Sequence, residues 1–260
     1  MLTEILNRLI KGELSLKEAE EAVKSLLAIE ALEGLLKLDR GREARRGVPE
    51  IILGEGKAPW LAAEAAIRLA ESTGRAIVSR ASREVLEEIY RKAEGKFKVE
   101  YHELARLAVV KKLDYEPPAK VGRVGILTAG TADIPVAEEA KVIAEEMGCE
   151  VYTAYDVGVA GLHRLRDALK EMLDKDVDVL IVAAGMEGAL PAVVAGLVDV
   201  PIIALPVSTG KGLGGSGVAA LLSMLQCCSL GLAVVNIDGG VAAGVVAALI
   251  ARRASRRLHR

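Results

Sequence analysis

Apolar positions in the N-terminal stretch recur at helical spacing. Residues 2–37 read as two helices, the second opening at the capping box Ser15-Leu16-Lys17-Glu18. A basic segment over 38–47 leads into Val48-Pro49-Glu50. Short apolar runs then alternate with amphipathic ones: a strand over 51–53, a helix over 58–72, a strand over 75–79 and a helix over 83–92. Weaker strand patterns follow at 97–101 and 108–111. Pro117-Pro118 fits neither a helix interior nor a central strand, so the spacing predicts a boundary there. The expected division is a smaller α/β domain over 1–116 and a second domain over 121–260.

Beyond the prolines the pattern becomes regular. Apolar strand runs at 123–127, 150–155, 179–183, 202–206 and 232–237 are each followed by a helical run, at 134–147, 162–173, 191–197, 218–226 and 241–253. Five successive βα units imply a doubly wound parallel sheet with helices on both faces. Such strands are buried on both sides and read as continuous apolar segments.

Charge sharpens this reading. The 260 residues carry 34 Lys and Arg against 36 Asp and Glu, a net charge of −2 that disfavours nucleic acid as the main partner. Between Val179 and Ile250 the only charges are Glu187, Asp199, Lys211 and Asp238, and Arg252, Arg253, Arg256, Arg257 and Arg260 form a basic tail. The uncharged run over 212–235 has the length of a membrane span but is broken by Gly-Leu-Gly-Gly-Ser-Gly and by Ser-Met-Leu-Gln-Cys-Cys-Ser. A subunit interface, not a membrane, is the expected cover for its helices. The N-terminus has charges where a signal peptide needs an apolar core, so a cytoplasmic protein is expected. Three cysteines, two of them adjacent, offer neither a disulfide framework nor metal-ligand spacing. Aromatic residues are few: one Trp, one Phe and five Tyr.

In a parallel α/β sheet, ligands bind beyond the carboxyl ends of the strands. The turns there read Thr128-Ala-Gly-Thr-Ala-Asp133, Asp156-Val-Gly-Val-Ala-Gly-Leu-His-Arg164, Ala184-Gly-Met-Glu-Gly-Ala-Leu-Pro191, Val207-Ser-Thr-Gly-Lys-Gly-Leu-Gly-Gly-Ser-Gly217 and Asp238-Gly-Gly240. Each combines glycine with a polar or charged residue, and Glu187, Lys211 and Asp238 all fall within them. Bland readings stand beside this one. Glycines shape turns, Asp133 and Asp156 suit helix N-caps, and His163 suits capping or packing. Residues 212–217 match a dinucleotide fingerprint but lie in the fourth βα unit, where a phosphate cradle is the better reading. Cys227 and Cys228 are either small hydrophobes or a nucleophile, and spacing does not choose between them.

Taken together, these turns resemble the PurE-like carboxylases, in the branch of the pyridinium-3,5-biscarboxylic acid mononucleotide synthases (LarB). The resemblance runs through Ala129–Asp133, Asp156–Arg164, Ala184–Pro191, Met224-Leu-Gln-Cys-Cys228 and Val234-Val-Asn-Ile-Asp238. In the N-terminal part it rests on Asp39, Arg42, Arg45, Gly47-Val-Pro-Glu50, Lys57 and Ser79-Arg80. It implies a flavodoxin-like, PurE-like catalytic domain that carboxylates nicotinic acid adenine dinucleotide with CO2 or bicarbonate and releases AMP, the first step of nickel-pincer nucleotide biosynthesis. The implied nucleophile is Cys228, with Glu187 and Asp156 as proton-transfer base and orienting carboxylate. His163 and Arg164 would meet carboxylate or phosphate. Thr131, Asp133, Ser208, Gly210, Lys211, Gly212 and Asp238 would hold the substrate, with Arg42, Arg45, Lys57 and Arg80 contributing from the N-terminal domain. Mg2+ is implied alongside the substrate phosphates, its ligands unassigned, and the assembly is a homo-oligomer, with octamers typical. Two aromatics usual in the family are replaced, one by Lys211 and one near Val241, which bears on ring recognition. The alternatives are a PurE-type aminoimidazole ribonucleotide carboxylase or mutase, and a non-catalytic dinucleotide-binding module.

Overall fold

The computed structural model describes residues 2–26, 29–32 and 35–258; Arg260 of the expected basic tail lies outside them. The chain forms two compact units, one of Met1–His102 with Arg106–Glu116 and one of Glu103–Ala105 with Pro117–Arg260.

The first unit begins with α1 (Leu2–Ile10) and α2 (Leu16–Leu26). The capping box is reciprocal: Ser15 N donates to Glu18 Oε2 at 2.7 Å and Glu18 N donates to Ser15 Oγ at 3.3 Å. The helical reading of 2–37 fails over its last part. Ile29–Leu32 (β1) and Leu36–Asp39 (β2) pair as an antiparallel hairpin, with Ile29 opposite Asp39. The leucine spacing mimics a helix, but β2 alternates exposed Lys37 with Leu38 at 1% exposure, the two-residue period of a strand. Part of the basic segment is a helix, α3 (Arg42–Arg46), ended by Gly47 at φ 67°. There follow β3 (Ile51–Leu53), α4 (Pro59–Thr73), β4 (Arg75–Ser79), α5 (Arg83–Ala93), β5 (Phe97–His102) and β6 (Leu107–Lys112). They form a mixed sheet in the order β3-β4-β6-β5, in which β3 and β4 are parallel and β6 is antiparallel to both its neighbours. Helix α4 buries Ala62, Ala63, Ala65, Ala66 and Leu69, leaving Trp60 at its start 41% exposed.

The second unit carries β7 (Arg123–Thr128), α6 (Ile134–Glu146), β8 (Glu150–Ala154), α7 (Leu162–Asp174), β9 (Val179–Ala184), α8 (Leu190–Ala195), β10 (Ile202–Pro206), α9 (Val218–Leu225), β11 (Leu232–Val234) and α10 (Gly240–Leu258). All five strands are parallel, in the order β8-β7-β9-β10-β11. This is the flavodoxin-like doubly wound order. Every residue of β9 and β10 is buried, as the continuous apolar runs require. Helices α7, α8 and α9 share one core with the sheet through Leu165, Leu169, Met172, Leu190, Val194, Ala220 and Met224. Helices α6 and α10 pack together and against β7 and β9. A Cβ on Gly244 of α10 would lie 2.5 Å from the Ala140 carbonyl of α6, so only glycine permits this approach.

Strand β11 stops three residues short of the expected end. Asn236 Oδ1 accepts from Ile237 N at 3.0 Å and Asn236 O accepts from Gly239 N at 3.0 Å, turning the chain into α10. Among the described residues no helix is long and apolar enough to cross a membrane.

Candidate functional site

The order β8-β7-β9 places a topological switch point between β7 and β9, because the chain leaves β7 toward one edge and returns on its other side. A pocket of about 430 Å³ opens there, built from the turns after four strands. Gly130, Ala132 and Asp133 come from the β7 turn, and Asp156, Gly158, Val159 and Arg164 from the β8 turn and the start of α7. Gly185, Met186, Glu187, Ala189 and Leu190 come from the β9 turn, and Thr209 from the β10 turn.

Asp133 is the hub of these turns. At 4% exposure it accepts from its own Gly130 N at 2.9 Å and from Thr209 Oγ1 at 3.1 Å, and it also takes a hydrogen bond from the Gly185 backbone. Burial pushes its carboxyl up from the ordinary range, opposed by these three donors, the Gly130 amide first among them. Its hydrogen bonds join three turns at the pocket, which it also lines.

The walls carry the charges. Asp156 accepts a hydrogen bond from Arg164 Nη1 in an ion pair, and its own backbone N–H donates to Thr128 Oγ1 at 3.0 Å. Gly158 permits the β8 turn to press on the β7 turn, since a Cβ would stand 2.5 Å from Ala129 O. Glu187 is exposed and lines the same pocket. Four of the strand-end turns hold a non-glycine residue in the left-handed region: Asp156 at φ 58°, Met186 at φ 51°, Ser216 at φ 58° and Asp238 at φ 53°. Such conformations cost on the order of 1–3 kcal/mol each and concentrate at functional sites.

The other expected residues fall into three groups. Thr131 lies on the exposed 3₁₀ turn beside the pocket without lining it, and His163 is exposed next to Arg164, also outside the lining. Ser208, Gly210, Lys211, Gly212 and Asp238 form the rim after β10 and β11. There Ser208 N donates to Asp238 Oδ1 at 2.9 Å, and Gly210 packs against the Met186 backbone at the 3.3 Å a Cβ would leave. Lys211 is exposed. In the first unit Arg45 pairs with Asp39 at 2.5 Å, Arg42 with Glu50 at 2.7 Å, Arg80 with Glu55 at 2.8 Å, and Lys57 Nζ donates to Leu53 O at 2.8 Å. Each of these cations is engaged within its own unit.

Cys228 is not brought to the pocket by its own chain. It follows α9 and precedes β11, so it stands at the amino end of the parallel strands, while the pocket opens at their carboxyl ends. The loop is anchored by Ser229 Oγ donating to Ala192 O at 2.9 Å. Cys228 is exposed and Cys227 partly buried, its Sγ accepting from Ser229 N at 3.3 Å. Cys149 is buried, and burial pushes its thiol up to about 11. Two residues of the site went unread in the sequence, Thr209 and Met186. Both stood inside the quoted turns, but neither carries a charge that would have drawn attention. Among the described residues no three His, Cys, Asp or Glu side chains gather as a metal site.

Residues 123–260 match the family model for AIR carboxylase, more than half of the chain. The chain belongs to the AIR carboxylase family. Residues 29–112 match a second model, the LarB/PurE-like N-terminal domain. An uncharacterized Methanocaldococcus jannaschii protein is 46% identical over 253 residues, covering 96% of this chain and 97% of its own length. The N5-carboxyaminoimidazole ribonucleotide mutase of Thermotoga maritima is 32% identical over 133 residues, 49% of this chain and 74% of the mutase. The mutase of Methanocaldococcus jannaschii is 36% identical over 124 residues, 47% of this chain and 74% of its own. These mutases match about half of this AIR carboxylase family chain, whereas the longer relative matches nearly all of it.

Proposed function

We propose that the protein carboxylates the pyridinium ring of nicotinic acid adenine dinucleotide and hydrolyses its phosphoanhydride, giving pyridinium-3,5-biscarboxylic acid mononucleotide and AMP. The observation that carries this reading is the convergence of Glu187 with the Asp156–Arg164 pair in one pocket at the switch point. The match of residues 29–112 to a LarB/PurE-like domain supports the same branch of the family.

The chemistry follows from the ring. A pyridinium cation is electron-poor and does not attack CO2. Addition of the Cys228 thiolate removes the cationic aromaticity and leaves an enamine, nucleophilic at C5. C5 bonds to CO2, a carboxylate takes the C5 proton, and departure of the thiolate restores the aromatic dicarboxylate. Glu187, exposed on the pocket wall, suits the proton transfer. Arg164, held by Asp156, suits the new carboxylate or a phosphate. Mg2+ would take most of its ligands from the substrate phosphates.

Cys228 reaches such a ring only from a second copy of the chain. Supporting this, α9 leads into the Cys227-Cys228 loop and presents Val218, Leu222 and Leu225, 48%, 54% and 61% exposed, along one helical stripe. Leu230, beside the cysteines, is 89% exposed. A homo-oligomer that covers this stripe would supply the thiol to a neighbouring pocket.

The test incubates the protein with nicotinic acid adenine dinucleotide, bicarbonate and Mg2+ and looks for AMP and the dicarboxylated mononucleotide by mass spectrometry. Both products are expected, and Cys228→Ser should abolish them. Absence of product with dinucleotide shown to bind refutes the reading. If Cys227→Ser is the inactive variant, the nucleophile is Cys227. Turnover of an aminoimidazole ribonucleotide that survives Cys228→Ala would instead mark the mutase chemistry named for the shorter relatives.

A further inference from the structure

Asp39, Arg42, Arg45 and Glu50 carry the N-terminal part of the family resemblance. Asp39 and Glu50 line a small cavity of the first unit, and Arg42 and Arg45 pair with them without lining it. Asp39 ends β2, Arg40 follows it, Glu43 lies on α3, and Pro49 and Glu50 precede β3. Leu69 and Thr73 come from α4, and Arg75 and Ile77 from β4. Ion pairs tie the wall together: Arg45 to Asp39 at 2.5 Å, Arg42 to Asp39 at 3.6 Å and to Glu50 at 2.7 Å, and Arg75 to Glu43 at 2.7 Å. The Arg75 side chain is 2% exposed.

Two acceptors on this wall are left over. Asp39 Oδ1 and Glu50 Oε2 are buried and receive no hydrogen bond; the Arg42 Nε contact to Glu50 is an ion pair without hydrogen-bond alignment. Buried carboxylate oxygens in native proteins are hydrogen-bonded as a rule. The cavity offers about 10 Å³ to the centre of a water-sized sphere, which is room for one water and too little for a phosphate or carboxylate. Arg40 and Arg75 line it together with Asp39, Glu43 and Glu50, and Arg42 and Arg45 pair with two of these carboxylates from beside it. Burial raises the Glu50 carboxyl from its ordinary value against the pull of Arg42, as expected of an acceptor short of donors.

We propose that the first unit is organised around one internal water, which donates to Asp39 Oδ1 and Glu50 Oε2, and that Asp39, Arg42, Arg45 and Glu50 form its structural cage, not a substrate contact. The water's two hydrogens match the two acceptors, and the guanidinium groups of Arg40 and Arg75 on the same wall offer donors to its lone pairs. The cage ties β2, α3, the entry to β3, α4 and β4 into one unit.

A crystal structure of the full chain, at a resolution showing ordered waters, tests this without any assay of activity and so stands apart from the carboxylation reading. One peak within hydrogen-bond distance of both oxygens is expected. An empty cavity, or a direct carboxylate–guanidinium contact filling it, overturns the proposal. In parallel, Arg42→Ala and Arg45→Ala should each lower Tm by about 4 °C or more. An unchanged Tm in both would refute the cage.

Discussion

A Cβ on Gly185 would lie 2.3 Å from Thr209 Oγ1 and 3.2 Å from Asp133 Oδ1, so alanine there must displace the hydroxyl that Asp133 holds. The methyl group has nowhere to go, because Asp133 is itself fixed by the β7 and β9 turns. Gly185→Ala is expected to cost about 1–3 kcal/mol of stability, the usual range for overpacking. Denaturant unfolding of the purified variant measures it, and a value near zero would show that the β10 turn yields freely. Because the same shift moves the pocket wall, kcat/KM in the carboxylation assay should fall about 100-fold, the penalty typical of a displacement near 1 Å.

Helix α10 starts where the last strand turn ends, and a buried carboxylate meets it. Glu139 on α6 is 5% exposed, and its Oε2 accepts from Val241 N at 3.3 Å while packing on Gly240. A negative group at a helix N-terminus satisfies a backbone N–H that lacks an intrahelical partner and opposes the helix dipole. Glu139→Ala should therefore destabilise the chain by about 1–2 kcal/mol. Thermal unfolding checks the loss; its persistence in the isosteric Glu139→Gln would assign it to charge, and its disappearance there to packing and the hydrogen bond. No pattern marked Glu139 in the sequence, since it reads as one more acid on the amphipathic helix 134–147. The five βα units were legible, because strands buried on both faces and helices between them leave distinct periods. The hairpin at 29–39 was not. A short strand with leucines two and three apart satisfies a helical template as well as an extended one until its partner is known. The turns were legible as a site through their charged residues, but the hydrogen bond that joins Asp133 to Thr209 spans 76 positions of sequence. Long-range pairing of that kind leaves no local trace.

The uneven spread of charge has its meaning at the level of the whole molecule. The stretch from Val179 to Ile250 has four charged residues and supplies β9, β10 and the edge strand β11 of the parallel sheet together with the exposed apolar stripe of α9. If that stripe meets a second copy, Leu222→Glu with Leu225→Glu should shift the protein to smaller species in analytical ultracentrifugation and remove carboxylation along with the supply of Cys228. A parent chain that sediments as a monomer while turning over substrate would exclude the shared site. The same composition decides which part of the protein light can report on. Trp60 is the chain's one tryptophan and lies on α4, in the first unit, whereas the aromatic side chains of the second are Tyr152 and Tyr155 alone. Indole emission thus reports on the unit that carries α4, and the second unit has no tryptophan of its own to report on the sheet that bears the cleft.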